Sequence, residues 1–281
     1  MKVIRTPRKI SEALKAIKRK GKRIGFVPTM GALHEGHLSL IRAARKNCDS
    51  VVVSIFINPT QFALHEDLKR YPRPVKKDFA LCRKEQVDFV FFPEAKSMYE
   101  EGFFTYVSVT GLSDCLCGKS RTGHFRGVTT VVAKLFNIIQ PDVAYFGQKD
   151  AQQAIIISKM VQDLNIPVKI KVMPTVRDKD GLALSSRNIY LNRQEKEDAR
   201  SLSKSLNLGK CLIDSGLKDP DRIIKRMREL INKRKTAKID YVNIVNTVDL
   251  KPVKRISGNC LIAIAVYIGR TRLIDNRIIY A

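Results

Sequence analysis

No apolar run in the 281 residues approaches the ~20 that a membrane-crossing helix requires, so no membrane partner is expected. The opening Met1-Lys2-Val3-Ile4-Arg5 leads into no long apolar stretch with a small-residue cleavage site, so no secretory signal is expected. The six cysteines, Cys48, Cys82, Cys115, Cys117, Cys211 and Cys260, are scattered. Only Cys115-x-Cys117 is close-spaced, and no second pair completes a zinc site. Reduced structural thiols in a cytoplasmic protein are the expectation. Acidic residues are scarce: 27 Asp and Glu stand against 52 Lys and Arg, a formal charge of +25. Such an excess can mark a nucleic-acid or anion binder. Here the cations run along the whole chain, as in Lys15 to Lys20 and Arg222 to Arg234. No aromatic-rich RNA-binding motif, helix-turn-helix or zinc finger accompanies them. The expectation is nonspecific polyanion affinity at low salt and no specific nucleic-acid partner. Internal repeats and low-complexity linkers are absent as well.

What is present is an alternation of short apolar runs and amphipathic stretches. Arg23 to Pro28, Ser50 to Ile57, Asp88 to Phe92, Val143 to Phe146 and Val168 to Val172 read as buried strands. Helices are predicted over His37 to Asn47, Pro74 to Gln86, Val128 to Ile139 and Asp150 to Leu164. Strands separated by helix-length crossovers predict an α/β fold with a doubly wound, Rossmann-like parallel sheet, which binds nucleotides at the carboxyl ends of its strands. After Pro174 the pattern changes. Two helices, about Arg193 to Ser215 and Pro220 to Lys233, precede strand candidates at Ile239 to Val245, Cys260 to Tyr267 and Arg272 to Ile279. Asp219 is placed to cap the second helix, with Pro220 at its first position. This grouping predicts a smaller C-terminal α+β domain. The boundary falls between about Pro174 and Arg187 and is set at residues 1–175 and 176–281.

The segment joining the first predicted strand to its helix reads Val27-Pro28-Thr29-Met30-Gly31-Ala32-Leu33-His34-Glu35-Gly36-His37. In a parallel sheet this position offers backbone N–H groups and a positive helix end to a phosphate. Gly31 and Gly36 are read as places where a nucleotide approaches the backbone closely. His34 and His37, three apart, share one face of the first helical turn. An imidazole there can donate to a phosphate oxygen and, as imidazolium, stabilise developing charge. Zinc is the competing use of such a pair, but it wants a third protein ligand. His65 and His124 lie in other motifs.

His34-x-Gly36-His37 resembles the signature of the nucleotidylyltransferase and class I aminoacyl-tRNA synthetase superfamily. The surrounding VPTMGALHEGHLSLI and the following SIFINPTQF narrow the resemblance to the pantothenate synthetase (pantoate–β-alanine ligase) family. So do Gly123 to Gln153, Asp180 to Asn188 and Arg272 to Asn276, in the family's order and spacing. The resemblance implies an ATP-dependent ligase. Pantoate attacks the α-phosphorus of ATP, and the amine of β-alanine then takes the acyl group, giving pantothenate and AMP. Neither half needs an enzyme nucleophile, so the protein positions, stabilises charge and excludes water.

The resemblance also assigns residues. ATP falls to Met30, Gly31, Ala32, Leu33, His34, Glu35, Gly36 and His37, with His37 at the family's proton donor. ATP contacts continue at Gly147, Gln148, Lys149 and Asp150, where Lys149 is the phosphate cation. They end with Val176, through its backbone, and Leu184, Ser185, Ser186 and Arg187, which grip the triphosphate as the C-terminal domain closes. Catalytic roles thus go to His34, His37 and Lys149. Pantoate is assigned to Gln61 and Gln153, and β-alanine to Gln61, since a neutral amide can both donate and accept. Asn58 supports that turn. His124 and Arg126 belong either to a substrate contact or to a subunit interface. Magnesium is expected to arrive with ATP, held by phosphates and water, with no protein metal site. A homodimer is implied.

Three features depart from the commoner family pattern. Gln148 stands where many members have Glu. Where adjacent acids often follow Tyr71-Pro72-Arg73, the stretch Pro74-Val75-Lys76-Lys77-Asp78 leaves Asp78 alone. Cys117 and Lys119 replace smaller or acidic residues. Three other activities compete with the ligase. An adenylyl transferase that stops after one transfer would have no use for Gln61 and Gln153. A tRNA synthetase would need an anticodon-binding module, which the chain lacks. A basic nucleic-acid binder would turn over no ATP.

Overall fold

The computed structural model describes residues 1–63 and 66–280; Leu64, His65 and Ala281 lie outside the described residues. In chain order its main elements are β1 (Lys2–Ile4), α1 (Pro7–Lys18), β2 (Ile24–Thr29), α2 (Glu35–Asn47), β3 (Ser50–Ile55), α3 (Val75–Lys84), β4 (Phe89–Phe91), α4 (Ala95–Met98) and α5 (Cys117–Ser120). They continue with α6 (His124–Ile139), β5 (Val143–Gly147), α7 (Ala151–Asp163), β6 (Lys169–Met173), α8 (Arg193–Asp214), α9 (Pro220–Asn232), β7 (Ala237–Asn246), β8 (Asn259–Ile268) and β9 (Thr271–Tyr280). The chain forms two compact units. One comprises 1–113, 121–147 and 156–174, and the other 114–120, 148–155 and 175–281.

The first unit carries a six-stranded sheet in the order β1-β4-β3-β2-β5-β6, every pair parallel. This is the doubly wound α/β architecture expected. Strand β3 shows why it forms: all six residues of SVVVSI are buried, as a strand covered on both faces requires. The order turns at β2, and the loop after it is the one carrying the two histidines. Edge strand β1 is not expected from the sequence, and of helix α1 only the basic face from Lys15 reads as helical. Only three residues of β1 pair, with Phe89–Phe91, and α1 shows just Ile10 and Leu14 fully buried. Helix α6 starts four residues before the predicted Val128, at His124. It is buried over most of its length, including Gly127.

The second unit has the antiparallel sheet β7-β8-β9. Its core joins Leu202 and Leu206 of α8 and Ile223, Met227 and Ile231 of α9 to Ile262, Ile264 and Val266 of β8. Each such side chain contributes about 1.5–3 kcal/mol by leaving water. Asn192 and Glu195 form a capping box on α8, and Asp219 caps α9 by accepting from the amides of Asp221 and Arg222.

Candidate active site

The loop after β2 is folded by its own polar groups. Thr29, the last residue of the strand, donates its hydroxyl to the Ser54 carbonyl at 2.7 Å and accepts from the Gly31 amide at 3.1 Å. Gly31 and Ala32 then take φ of 83° and 50°. The left-handed conformation costs a non-glycine residue about 1–2 kcal/mol, and Ala32 is held there by Asp78. That carboxylate, on α3, accepts from the Ala32 amide at 2.9 Å and the Leu33 amide at 2.8 Å. Hydrogen bonds to a charged group are worth about 1.5–3 kcal/mol each, enough to outweigh the strain. Asp78 is 1% exposed, and burial raises its carboxyl above the ordinary value against the pull of the two amides.

His34 is the N-cap of α2. Its Nδ1 accepts from the Gly36 amide at 3.2 Å, and His37 Nδ1 accepts a long 3.4 Å bond from the His34 amide. An Nδ1 that accepts leaves the ring proton on Nε2, so both imidazoles are assigned as Nε2–H donors from the bonding pattern. The rings tilt together with centroids 4.2 Å apart. The glycines serve the loop itself. A Cβ on Gly36 would lie 2.9 Å from His34 Cε1, and one on Gly31 would lie 3.0 Å from Asp78 Oδ2. Most amides expected to face a phosphate are therefore already bonded within the protein, those of residues 31, 32, 33, 34, 36 and 37 among them. The exposed Glu35 carboxylate pairs with Arg42, which also holds Glu85 at 2.6 Å.

Gln61 is brought to this loop. Its Nε2 lies 2.9 Å from Met30 Sδ, and its Oε1 accepts from Asn58 Nδ2 at 3.2 Å. Asn58 also donates to the Gly127 carbonyl at 3.0 Å and accepts from the Tyr99 hydroxyl at 2.8 Å. His124 fixes the same turn from the other side, with Nδ1 2.8 Å from the Gln61 carbonyl and Nε2 2.9 Å from Arg121. The carbonyl can only accept, so Nδ1 donates. Arg121 in turn grips Glu66 through two bonds of 2.6 and 2.7 Å. Burial pushes the Glu66 carboxyl up, and Arg121 outweighs that and holds it below its ordinary value. Arg126 instead stacks its guanidinium 4.9 Å from the Tyr106 ring. Met30 and Gly31 also line an apolar cavity of about 460 Å³, together with Phe56, Pro72, Val75 and Asp78.

The remaining predicted residues are described within the second unit, save Gly147, the last residue of β5. Gln148, Lys149 and Asp150 form a turn of 3-10 helix leading into α7. Lys149 Nζ is 3.5 Å from Asp150 Oδ1, so its charge has a partner. Asn276 of β9 donates to the carbonyls of Gln148 and Lys149 at 2.8 and 2.9 Å. Its neighbour Asp275, 2% exposed, pairs bidentately with Arg177 at 2.6 and 2.9 Å. Arg177 bridges Ala183, and the Leu184 amide donates to the Val176 carbonyl at 3.0 Å. Adjacent residues of one strand thus pin both the Lys149 turn and the hairpin carrying Val176 and Leu184. Ser185 follows and caps the 3-10 turn Ser186–Tyr190 by accepting from the Arg187 amide at 3.3 Å. Gln153 sits half-buried on α7. Cys117 lies 3.1 Å from the Tyr241 hydroxyl, beside Arg272 and its partner Asp240; nothing in the structure explains Lys119.

Among the described residues no three metal-ligating side chains cluster, and both oxygens of Asp78 are taken by amides.

A central parallel strand that ends in a loop capping a helix is the place where open α/β sheets bind nucleotides, at the carboxyl ends of their strands. The chain belongs to the pantoate–β-alanine ligase family, whose model, described as Pantoate-beta-alanine ligase, matches residues 2–278. It is 53% identical over 277 residues to the pantothenate synthetase of Sulfurihydrogenibium sp. (strain YO3AOP1), covering 98% of this chain and 99% of that one. The crystal structure of pantothenate synthetase from Thermus thermophilus superimposes with a TM-score of 0.95 at 40% identity over all of both chains. That of pantoate–β-alanine ligase from Francisella tularensis, complexed with β-γ ATP and β-alanine, gives 0.82 at 35% identity, over 99% of this chain and 97% of that one.

Proposed function

We propose that the chain condenses pantoate with β-alanine at the expense of ATP, through a pantoyl adenylate, giving pantothenate, AMP and pyrophosphate. The observation that carries this reading is the pair of Nε2–H imidazoles, His34 and His37, capping α2 at the end of a central strand beside Gln61. A carboxylate oxygen of pantoate attacks the α-phosphorus, the bond to the β-phosphate oxygen breaks, and pyrophosphate leaves with its electron pair. The amine of β-alanine then attacks the acyl carbon, the bond to AMP breaks, and the nitrogen loses its proton. His37 donates to the oxygen that gains charge in the first step, with His34 beside it. Most loop amides being bonded internally, the imidazoles rather than a bed of N–H groups supply the loop's donors to phosphate.

Lys149 follows the phosphate charge, and Ser185, Ser186 and Arg187 hold the triphosphate, with Met30, Gly147, Gln148, Asp150, Val176 and Leu184 completing the ATP contacts. Gln61 and Gln153 bind pantoate, and Gln61 also meets β-alanine. The network of Asn58, His124 and Arg121 around Gln61 supports that role, because a selective amide must be held in one orientation. Magnesium enters as part of the substrate, MgATP, on phosphate and water oxygens. The working form is a homodimer in the cytoplasm. The reading is tested by incubating the purified protein with MgATP and pantoate, with and without β-alanine. Pantothenate and AMP appearing only when β-alanine is present support it. Stoichiometric AMP without an amine, or no pantothenate with one, contradicts it.

A further inference from the structure

We propose that Asp78 is a positioning residue for the ATP loop, its buried carboxylate holding Gly31-Ala32-Leu33 in the one shape that sets His34 as the cap of α2. The inference rests on the ATP role given above to that loop. A strand-to-helix loop in a nucleotide-binding sheet ordinarily turns its amides toward the ligand's phosphate. Here two successive left-handed residues, Gly31 and Ala32, bring the amides of Ala32 and Leu33 onto a carboxylate from α3, at 2.9 and 2.8 Å. The protein's own anion occupies that place. Each Asp78 oxygen takes one amide, so the position demands two acceptors and no donor, which among side chains of this length only Asp supplies. The fit is tight, for a Cβ on Gly31 would stand 3.0 Å from Oδ2. Asp78 is also 1% exposed, so the carboxylate meets little water that could replace those bonds. Leu33 directly precedes His34, and any rotation of its peptide moves the cap and, through the His34 amide, the 3.4 Å bond to His37 Nδ1.

Asp78→Asn keeps the shape but turns an NH2 group against one backbone N–H. Its effect is read in steady-state kinetics of pyrophosphate release and in thermal unfolding. The expected result is a roughly 10- to 100-fold fall in kcat/KM for MgATP, from loss of one charge-assisted bond and a donor–donor clash. The KM for pantoate should change severalfold less, and the Tm should fall by only a few degrees. Unchanged ATP kinetics overturn the proposal. So does an equal loss toward both substrates with a large fall in Tm, which is what a purely structural residue would show. Should the variant fail to fold, amide hydrogen exchange on the unaltered protein decides. The amides of Ala32 and Leu33 should be protected without nucleotide, and MgATP should add nothing at those two positions. Exchange at the rate of open loop amides, or protection arising only with MgATP, refutes the anchor. If the parent protein makes no pantothenate, the ligase reading fails by itself, and the exchange measurement still judges the carboxylate clamp.

Discussion

Gly127 lies inside α6, yet the reason for a glycine there is on another element. A Cβ at this position would stand 2.3 Å from the Thr60 carbonyl oxygen, 2.6 Å from its carbon and 2.7 Å from the Gln61 amide nitrogen. These are backbone atoms of the turn that presents Gln61, and they cannot swing aside as a side-chain tip could. Ordinary contact begins near 3.4 Å, so Gly127→Ala requires about 1.1 Å of separation between helix and turn. The bond from Asn58 Nδ2 to the Gly127 carbonyl, now 3.0 Å, would be stretched, loosening the amide that also holds Gln61 Oε1. Overpacking of this kind costs about 1–3 kcal/mol of stability. A misplacement near 1 Å at a substrate-positioning group can cost on the order of 10²-fold in rate. Steady-state pantothenate synthesis, with pantoate and ATP varied separately, should show kcat/KM for pantoate reduced by roughly that factor. The KM for ATP should move much less. Parent-like kinetics toward pantoate in a folded Gly127→Ala protein would refute the idea that the α6 contact sets Gln61.

Three further outcomes are expected. His37→Ala should slow adenylate formation by roughly 10²–10³-fold, as for loss of a preorganised donor, measured as pantoate-dependent pyrophosphate release. Gln153→Ala should raise the KM for pantoate more than that for ATP, checked in the same assay; the reverse pattern would move Gln153 away from pantoate. The Glu66–Arg121 pair sets a pH dependence. A carboxyl held below its ordinary 4.5 stabilises the fold above that pH, and the contribution is lost as pH falls through the lower folded value. Thermal unfolding followed from pH 7 downward should therefore show the parent and Glu66→Gln converging in acid, with the parent more stable at neutral pH.

The doubly wound sheet was readable because its central strands are continuous apolar runs; SVVVSI of β3 admits no amphipathic alternative. The second C-terminal helix is readable from its start, Asp219 with Pro220. Strand β1 escaped because it is short and mostly exposed, so no apolar pattern marks it. The start of α6 at His124 carries no apolar periodicity of its own, and the glycine at 127 is explained only by the close approach of the Thr60 backbone. At the site, the histidine pair, Gln61 and its support Asn58 stand out through their motifs, whereas the contacts of Asp78 and His124 do not. Asp78 bonds amides 45 and 46 positions away, and His124 reaches a carbonyl 63 positions away. In the sequence Asp78 is marked only as the one acid left after Tyr71-Pro72-Arg73. Its partners are backbone atoms, which carry no residue-specific signal. The same holds for Asn276, whose partners are two carbonyls of the Lys149 turn.

The central claim is that the carboxylate of pantoate itself attacks the α-phosphorus of ATP. Pantoate labelled with ¹⁸O in both carboxylate oxygens, turned over with MgATP and β-alanine and analysed by mass spectrometry, tests it directly. One labelled oxygen should appear in AMP and the other should remain in the amide carbonyl of pantothenate. Unlabelled AMP, with the label in inorganic phosphate or pyrophosphate or lost to water, would contradict the adenylate route.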